Sequence, residues 1–237
     1  MGAITDDPRL RERRFVFTDR HDAGRQLGEM FRSLPQLQDP IVLAIPAGGI
    51  PIGVELARAI HAGFGLAVVR KIQIPGNTEA GFGAVAWDGR VVINTPVRSA
   101  LHLSEARVKK AVEAARASVK DRVERYLGDS PFPEVAGRTV VLTDDGLASG
   151  FTMLAAIESI RTLLPEKILV AVPTASADAA EAVGKDIDRL VALNIRSGSH
   201  FAVAAAYKRW HDLSDNEVLA ELAFMKLLRR EPARNSV

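Results

Sequence analysis

The chain of 237 residues contains no cysteine, which excludes disulfides, thiolate zinc sites and cysteine nucleophiles in one step. A charge of one sign is also lacking. The 31 basic and 29 acidic side chains leave a formal charge of +2 and a pI near 9.0, a small imbalance that gives nucleic acid little support as a partner. The one basic cluster, RLRERR at 9–14, reads as a frayed or solvated N-terminus. Apolar runs such as ILVAVP at 168–173 are far shorter than a membrane span, and no apolar leader stretch opens the chain. A cytoplasmic protein with no membrane attachment is the expectation. Internal repeats and low-complexity tracts are absent too.

What is present is ordinary globular usage, 47% apolar and 25% charged, in a chain long enough to bury a substantial core. Residues 1–237 are read as one domain. RFVFTD at 14–19 looks β-like, and Asp19 or Asp22 can cap a helix carrying Leu27, Met30, Phe31 and Leu34. IVLAIP at 41–46 and GLAVVRKI at 65–72 read as two buried strands with a helix to about Ala62 between them. Asp88-Gly89 is a hairpin signal inside a β-ribbon at about 76–94, expected to project from the sheet and to flex at Gly76, Gly81 and Gly83.

Ser104 caps a long helix that Gly128, Pro131 and Pro133 end. Strands at 138–144, 167–173 and 189–195 then alternate with helices near 151–164 and 176–186. Ser214 to Glu217 is a capping box for a last helix, and 228–237 is read as a loose tail. Buried strands alternating with helices predict an α/β fold, an open, mostly parallel twisted sheet covered by helices on both faces. Ligands then bind at the carboxyl ends of strands, near a switch in strand order.

At one such end stands VVLTDDGLASGFT, residues 140–152. Gly146, Ala148 and Gly150 keep side chains clear so that backbone amides can converge on an anion at a helix N-terminus, and Ser149 and Thr152 add hydroxyl donors. The loop has no lysine, unlike a triphosphate-binding G-x-x-x-x-G-K-[ST], and no G-x-G-x-x-G appears. A nucleophile elbow needs the serine one place earlier. Asp144 and Asp145 repel a bare phosphate, so they make sense beside a ligand that also carries hydroxyls or a cation. A sugar phosphate satisfies both halves.

The segment resembles the thirteen-residue phosphoribosyl pyrophosphate motif of the type I phosphoribosyltransferases, with Thr143 departing mildly from the usual aliphatic fourth position. The resemblance implies a phosphate cup formed by Gly146, Leu147, Ala148, Ser149, Gly150, Phe151 and Thr152. It also implies catalytic roles for Asp144, Asp145 and Arg70. Ala47, Gly48 and Gly49 in PAGG are similar to the family's pyrophosphate loop, which in many members carries a non-proline cis peptide, and Lys71 joins Arg70 beside the diphosphate. The ribbon corresponds to a closing hood, where Glu79 is a candidate substrate contact.

By the same resemblance Mg2+ arrives with the diphosphate, so no protein ligand cluster is needed, and the five histidines show no metal-ligand spacing. The phosphoribosyl group passes to a nitrogen of a nucleobase-like acceptor with release of pyrophosphate, and a homodimer is common in the family. Tyr207 and Trp210, in a C-terminal hood-like segment at 199–225, read first as packing anchors. The chain is most similar to a prokaryotic branch with DR.DAG near its start. A binding regulator that kept the cup but lost transfer is the alternative from another class. A phosphoribosyl-specific hydrolase would need a water-activating base that the sequence does not identify.

Overall fold

The structure is a computed structural model that describes residues 2–75, 77–198 and 200–228; Gly76 and the tail from 229 lie outside them. Its main sheet has six parallel strands in the order β1 (Ala3–Thr5), β9 (Arg189–Arg196), β8 (Lys167–Ser176), β7 (Thr139–Thr143), β2 (Pro40–Ala44) and β3 (Gly63–Leu66). The central strands are apolar on both faces because both are covered. Ile41 and Leu43 of β2 join Val140 and Leu142 of β7 in one core, while Val42, Ala44 and Val141 join the other.

The first core is closed by α5 (Phe151–Arg161) and α6 (Ala177–Gly184), and the second by α1 (Arg20–Arg32), α2 (Gly49–Ala59), α4 (Glu105–Leu127) and α7 (Asp215–Leu228). Each buried Val, Leu or Ile contributes about 2 kcal/mol of transfer free energy before chain entropy is charged. The caps fall where the side-chain chemistry places them. Asp19 accepts from the Asp22 N–H at 3.0 Å, and Ser104 accepts from the Arg107 N–H. Gly128 ends α4 with φ +54°, and Ser214 and Glu217 form the box that opens α7.

Three expectations change. The basic cluster at 9–14 is solvated but not frayed, because β1 extends the sheet beside β9, and the exposed Arg9 and Arg11 pair with Asp7 and Asp6. A short helix α3 (Thr95–Ala100), capped by Asn94, follows the ribbon. The run 65–72 is not one strand: β3 stops at Leu66, the Ala67 N–H turns onto the Ala44 carbonyl at 2.9 Å, and β4 (Val69–Ile74) starts a separate antiparallel sheet with β5 (Asn77–Ala86) and β6 (Val91–Ile93). A continuous apolar run carries no mark of that break, since Ala67 and Val68 are buried on either reading.

The antiparallel ribbon expected at about 76–94 is this small sheet, and it packs between α4 and α5. Gly81 and Gly83 sit inside its paired strands, and Asp88-Gly89 makes the turn, with φ +84° at Gly89.

From β2 the chain crosses to β3 on one side, and from β7 it crosses to β8 on the other. The strand order reverses between these two neighbours, so a crevice opens at their carboxyl ends. Ala44 and Thr143 are register partners, and the Ile45 N–H donates to the Thr143 carbonyl at 2.8 Å. The loops that follow leave from the same level.

Candidate functional site

The loop after β2 closes tightly before α2, with the Gly49 N–H on the Ile45 carbonyl at 3.0 Å. The Pro46–Ala47 peptide is cis. A Cβ on Gly48 would lie 1.8 Å from Asp145 Oδ2, and one on Gly49 would lie 2.7 Å from the Thr143 carbonyl oxygen. These glycines are set by the approach of the acid segment, and any side chain would push the two loops apart.

At the end of β7 the two acids have different surroundings. The Asp145 N–H donates to Asp144 Oδ1 at 2.8 Å. Asp145 Oδ2 receives Arg20 Nε at 3.0 Å and Arg20 Nη2 at 2.9 Å, and Arg20 Nη1 donates to the His211 carbonyl at 2.9 Å. The same guanidinium lies 3.9 Å from the Trp210 ring centroid. The Tyr207 hydroxyl donates to the Asp145 carbonyl at 2.6 Å, and its buried ring stands between Phe17 and Trp210.

Burial and then the charge of Asp145 push the Asp144 carboxyl well above the usual carboxylate range. Asp145 is also raised by burial, against the pull of Arg20. The Tyr207 phenol is held well above its ordinary value by burial and then by Asp145.

Two distant segments make this arrangement. Residues 15–18 and 205–209 are stitched by backbone bonds of 2.8 to 3.0 Å, including Phe17 N–H to the Ala206 carbonyl and Lys208 N–H to the Phe17 carbonyl. That pairing brings Arg20, the first residue of α1, under Trp210 and onto Asp145. Arg20 was visible only as a letter in DR.DAG. The signal that marks it is a long cation placed directly after an N-cap, at a position the helix buries. Tyr207 and Trp210 are packing anchors as expected, and they also contact the acid segment or its counter-ion.

The cup is anchored on one side and open on the other. The Leu147 N–H donates to the Thr174 carbonyl at 2.9 Å, its own carbonyl accepts from the Ser176 N–H at 2.8 Å, and its side chain is buried. Leu147 thus holds the loop against β8, and its backbone groups are not free for a ligand. The Ser176 hydroxyl fixes the Ala148 carbonyl at 2.8 Å. Gly146 leaves room for Val203 and Thr174.

Ala148 and Ser149 are exposed. Gly150 adopts φ +77°, a left-handed conformation that favours glycine. No side chain caps α5 and its first turn has no acid. The N–H groups of Phe151, Thr152 and Met153 are left as the unpaired donors of a helix N-terminus, where the macrodipole favours an anion.

Arg70 and Lys71 are not brought to the acids. On β4 the Arg70 guanidinium faces α4, where burial and then Arg122 lower its pKa. Lys71 runs along Gly81. The strand break explains this correction, because a continuous strand would have ended at the crevice. The cation on the acid pair is Arg20. The side chain of Glu79 lies outside the described residues.

His21 bridges Glu55 and Glu221, and His211 meets Glu217. Among the described residues no group of three or more His, Cys, Asp or Glu could hold a metal ion, and no helix is long and apolar enough to cross a membrane. Asp144 and Asp145 are two adjacent oxygen donors, too few to hold a divalent cation by themselves.

The phosphoribosyl transferase domain model matches residues 21–208. Two Mycobacterium tuberculosis proteins, from strains CDC 1551 / Oshkosh and H37Rv, both carry the name "Putative phosphoribosyl transferase". Each is 33% identical over 207 residues, or 87% of this chain and 46% of the relative, so the chain spans about half of their length. The crystal structure of TT1426 from Thermus thermophilus superposes with a TM-score of 0.70 at 33% identity, covering 89% of this chain and 98% of that one. The matched residues run from the helix that carries Arg20 to the segment that carries Tyr207, and the chain belongs to the phosphoribosyl transferase domain family.

Proposed function

We propose that the chain transfers the phosphoribosyl group of phosphoribosyl pyrophosphate to a nitrogen of a nucleobase or related ring, releasing pyrophosphate with Mg2+. The observation that carries this reading is the uncapped N-terminus of α5 beside the acid pair at the sheet's switch point. The amides of Phe151 and Thr152, with the Ser149 and Thr152 hydroxyls, take the phosphate at one end of the sugar. Asp144 accepts from the ribose hydroxyls, because Asp145 Oδ2 is committed to Arg20. The amides of Ala47, Gly48 and Gly49 take the diphosphate.

Departure of pyrophosphate leaves positive charge on the anomeric carbon, and the aspartates lend it a negative field with no covalent protein nucleophile. When bound with the diphosphate, Mg2+ neutralises charge on the leaving group.

A second reading, a regulator that binds phosphoribosyl pyrophosphate without transferring it, draws on one observation: the ion pair that occupies Asp145. Calorimetry with phosphoribosyl pyrophosphate and Mg2+, followed by a nucleobase panel read as pyrophosphate release, separates the two. Binding with release supports the transferase and binding with no release supports the regulator. No binding of the donor overturns both.

A further inference from the structure

Away from the crevice, β4 and α4 flank a cavity of about 470 Å³ whose lining, among the described residues, carries Arg70, Lys71, Arg107 and Lys110 and no acidic residue. The α4 side is one helical stripe, 107, 110, 111, 114 and 118, at spacings of three and four. Its middle is alanine, so the floor is flat and apolar, and Ile74 and Pro75 face it.

Solvated rim lysines alone would mean little. The informative atom lies deeper: Arg70 Nε is buried with no hydrogen-bond partner, as is Nη1 of Arg122, one turn beyond Ser118 on the same face. Buried donors are normally paired, and the Arg70 Nε, facing the like charge of Arg122, is one that an acceptor in the cavity would satisfy. The cavity shares no residue with 46–49 or 144–152.

We infer that the cleft between β4 and α4 is a second anion site, separate from the sugar-phosphate cup, which takes a phosphorylated small molecule of about nucleotide size. Its volume exceeds what a lone phosphate needs and falls in the range of small-molecule pockets, roughly 300 to 1,000 Å³. The phosphates sit against Arg70, Arg107 and Lys110, and a planar or apolar group lies along Ala111 and Ala114. Arg70, with its planar fork, is the anchor.

The test uses the full chain and ADP as probe, by calorimetry, in three forms: wild type, Ser149→Glu, which puts a carboxylate in the exposed cup, and Arg107→Glu with Lys110→Glu, both exposed on α4. Circular dichroism checks that each is folded. The expected result is ADP affinity within twofold of wild type for Ser149→Glu and at least tenfold weaker for the α4 pair, with inorganic phosphate binding far more weakly than ADP. Loss of ADP binding in Ser149→Glu would place the nucleotide in the cup and overturn the inference. Unchanged affinity in the α4 pair overturns it as well, and equal affinity for inorganic phosphate overturns the assigned ligand size. None of these outcomes depends on whether pyrophosphate is released.

Discussion

Replacing Arg20 by methionine keeps much of the side chain's length and removes its charge. It deletes two donors to Asp145 Oδ2, one to the His211 carbonyl and the stack on Trp210. The Arg20 and Asp145 side chains are only 8% and 17% exposed, so the loss belongs to the buried regime, where removing one partner leaves a costly unpaired charge. Arg20→Met should therefore destabilise the fold by about 3 kcal/mol, the low end for a broken buried pair. At this chain length that is roughly 6 to 12 °C in Tm.

Asp145→Asn in the same background should recover part of the loss, because the uncompensated acid is gone. A double-mutant cycle should return a coupling of about 2 kcal/mol. The pH dependence has a definite sign. Without Arg20 the folded-state pKa values of both aspartates rise further, so the deficit is largest where both are ionised and shrinks as pH falls through those values. Urea denaturation followed by circular dichroism at pH 5 and pH 8 measures both quantities. A deficit below about 0.5 kcal/mol, typical of an exposed pair, or a coupling of zero, would refute the counter-ion role.

Asp144→Asn should weaken donor binding in calorimetry and raise stability at neutral pH. The folded carboxyl, raised by burial and Asp145, destabilises the fold as pH rises from 3.8 through its folded value, and that dependence should disappear from thermal melts of the variant. Gly48→Ala should abolish donor binding, since its Cβ would overlap Asp145; retained affinity would mean the two loops are not held together. Gly150→Ala, forced into φ +77°, should cost about 1 to 2 kcal/mol in denaturant unfolding and weaken binding at the cup. His21 is raised by Glu221, against burial, and by Glu55. Its contribution is present in full below the unfolded value of 6.5 and lost as pH rises through the folded one, so His21→Ala should cost more at pH 6 than at pH 9 by up to about 1 kcal/mol, being partly exposed.

The layered α/β architecture was legible in the linear chain because local signals agreed. Doubly apolar runs marked buried parallel strands, and Asp19, Ser104 and Ser214 marked helix starts. The loop at 146–152, between β7 and α5, could be read as an anion cup because its chemistry is that of one turn and the helix end that follows. The short motif also placed Asp144 and Asp145 beside it.

What the chain could not disclose is whatever depends on pairing across long separations. Arg20 meets Asp145 across 125 positions through a helix cap and a bridge between segments 17 and 207, and no local pattern encodes that meeting. Arg70 went the other way. Its adjacency to an apolar run suggested the crevice, but the break at Ala67 moved it to a separate sheet and turned it towards α4. Sequence alone determined which groups could bind a phosphate, because donors and small residues are local properties; only the tertiary structure decided which cation faces which acid, because that follows from where the strands stop and which layers pack between them.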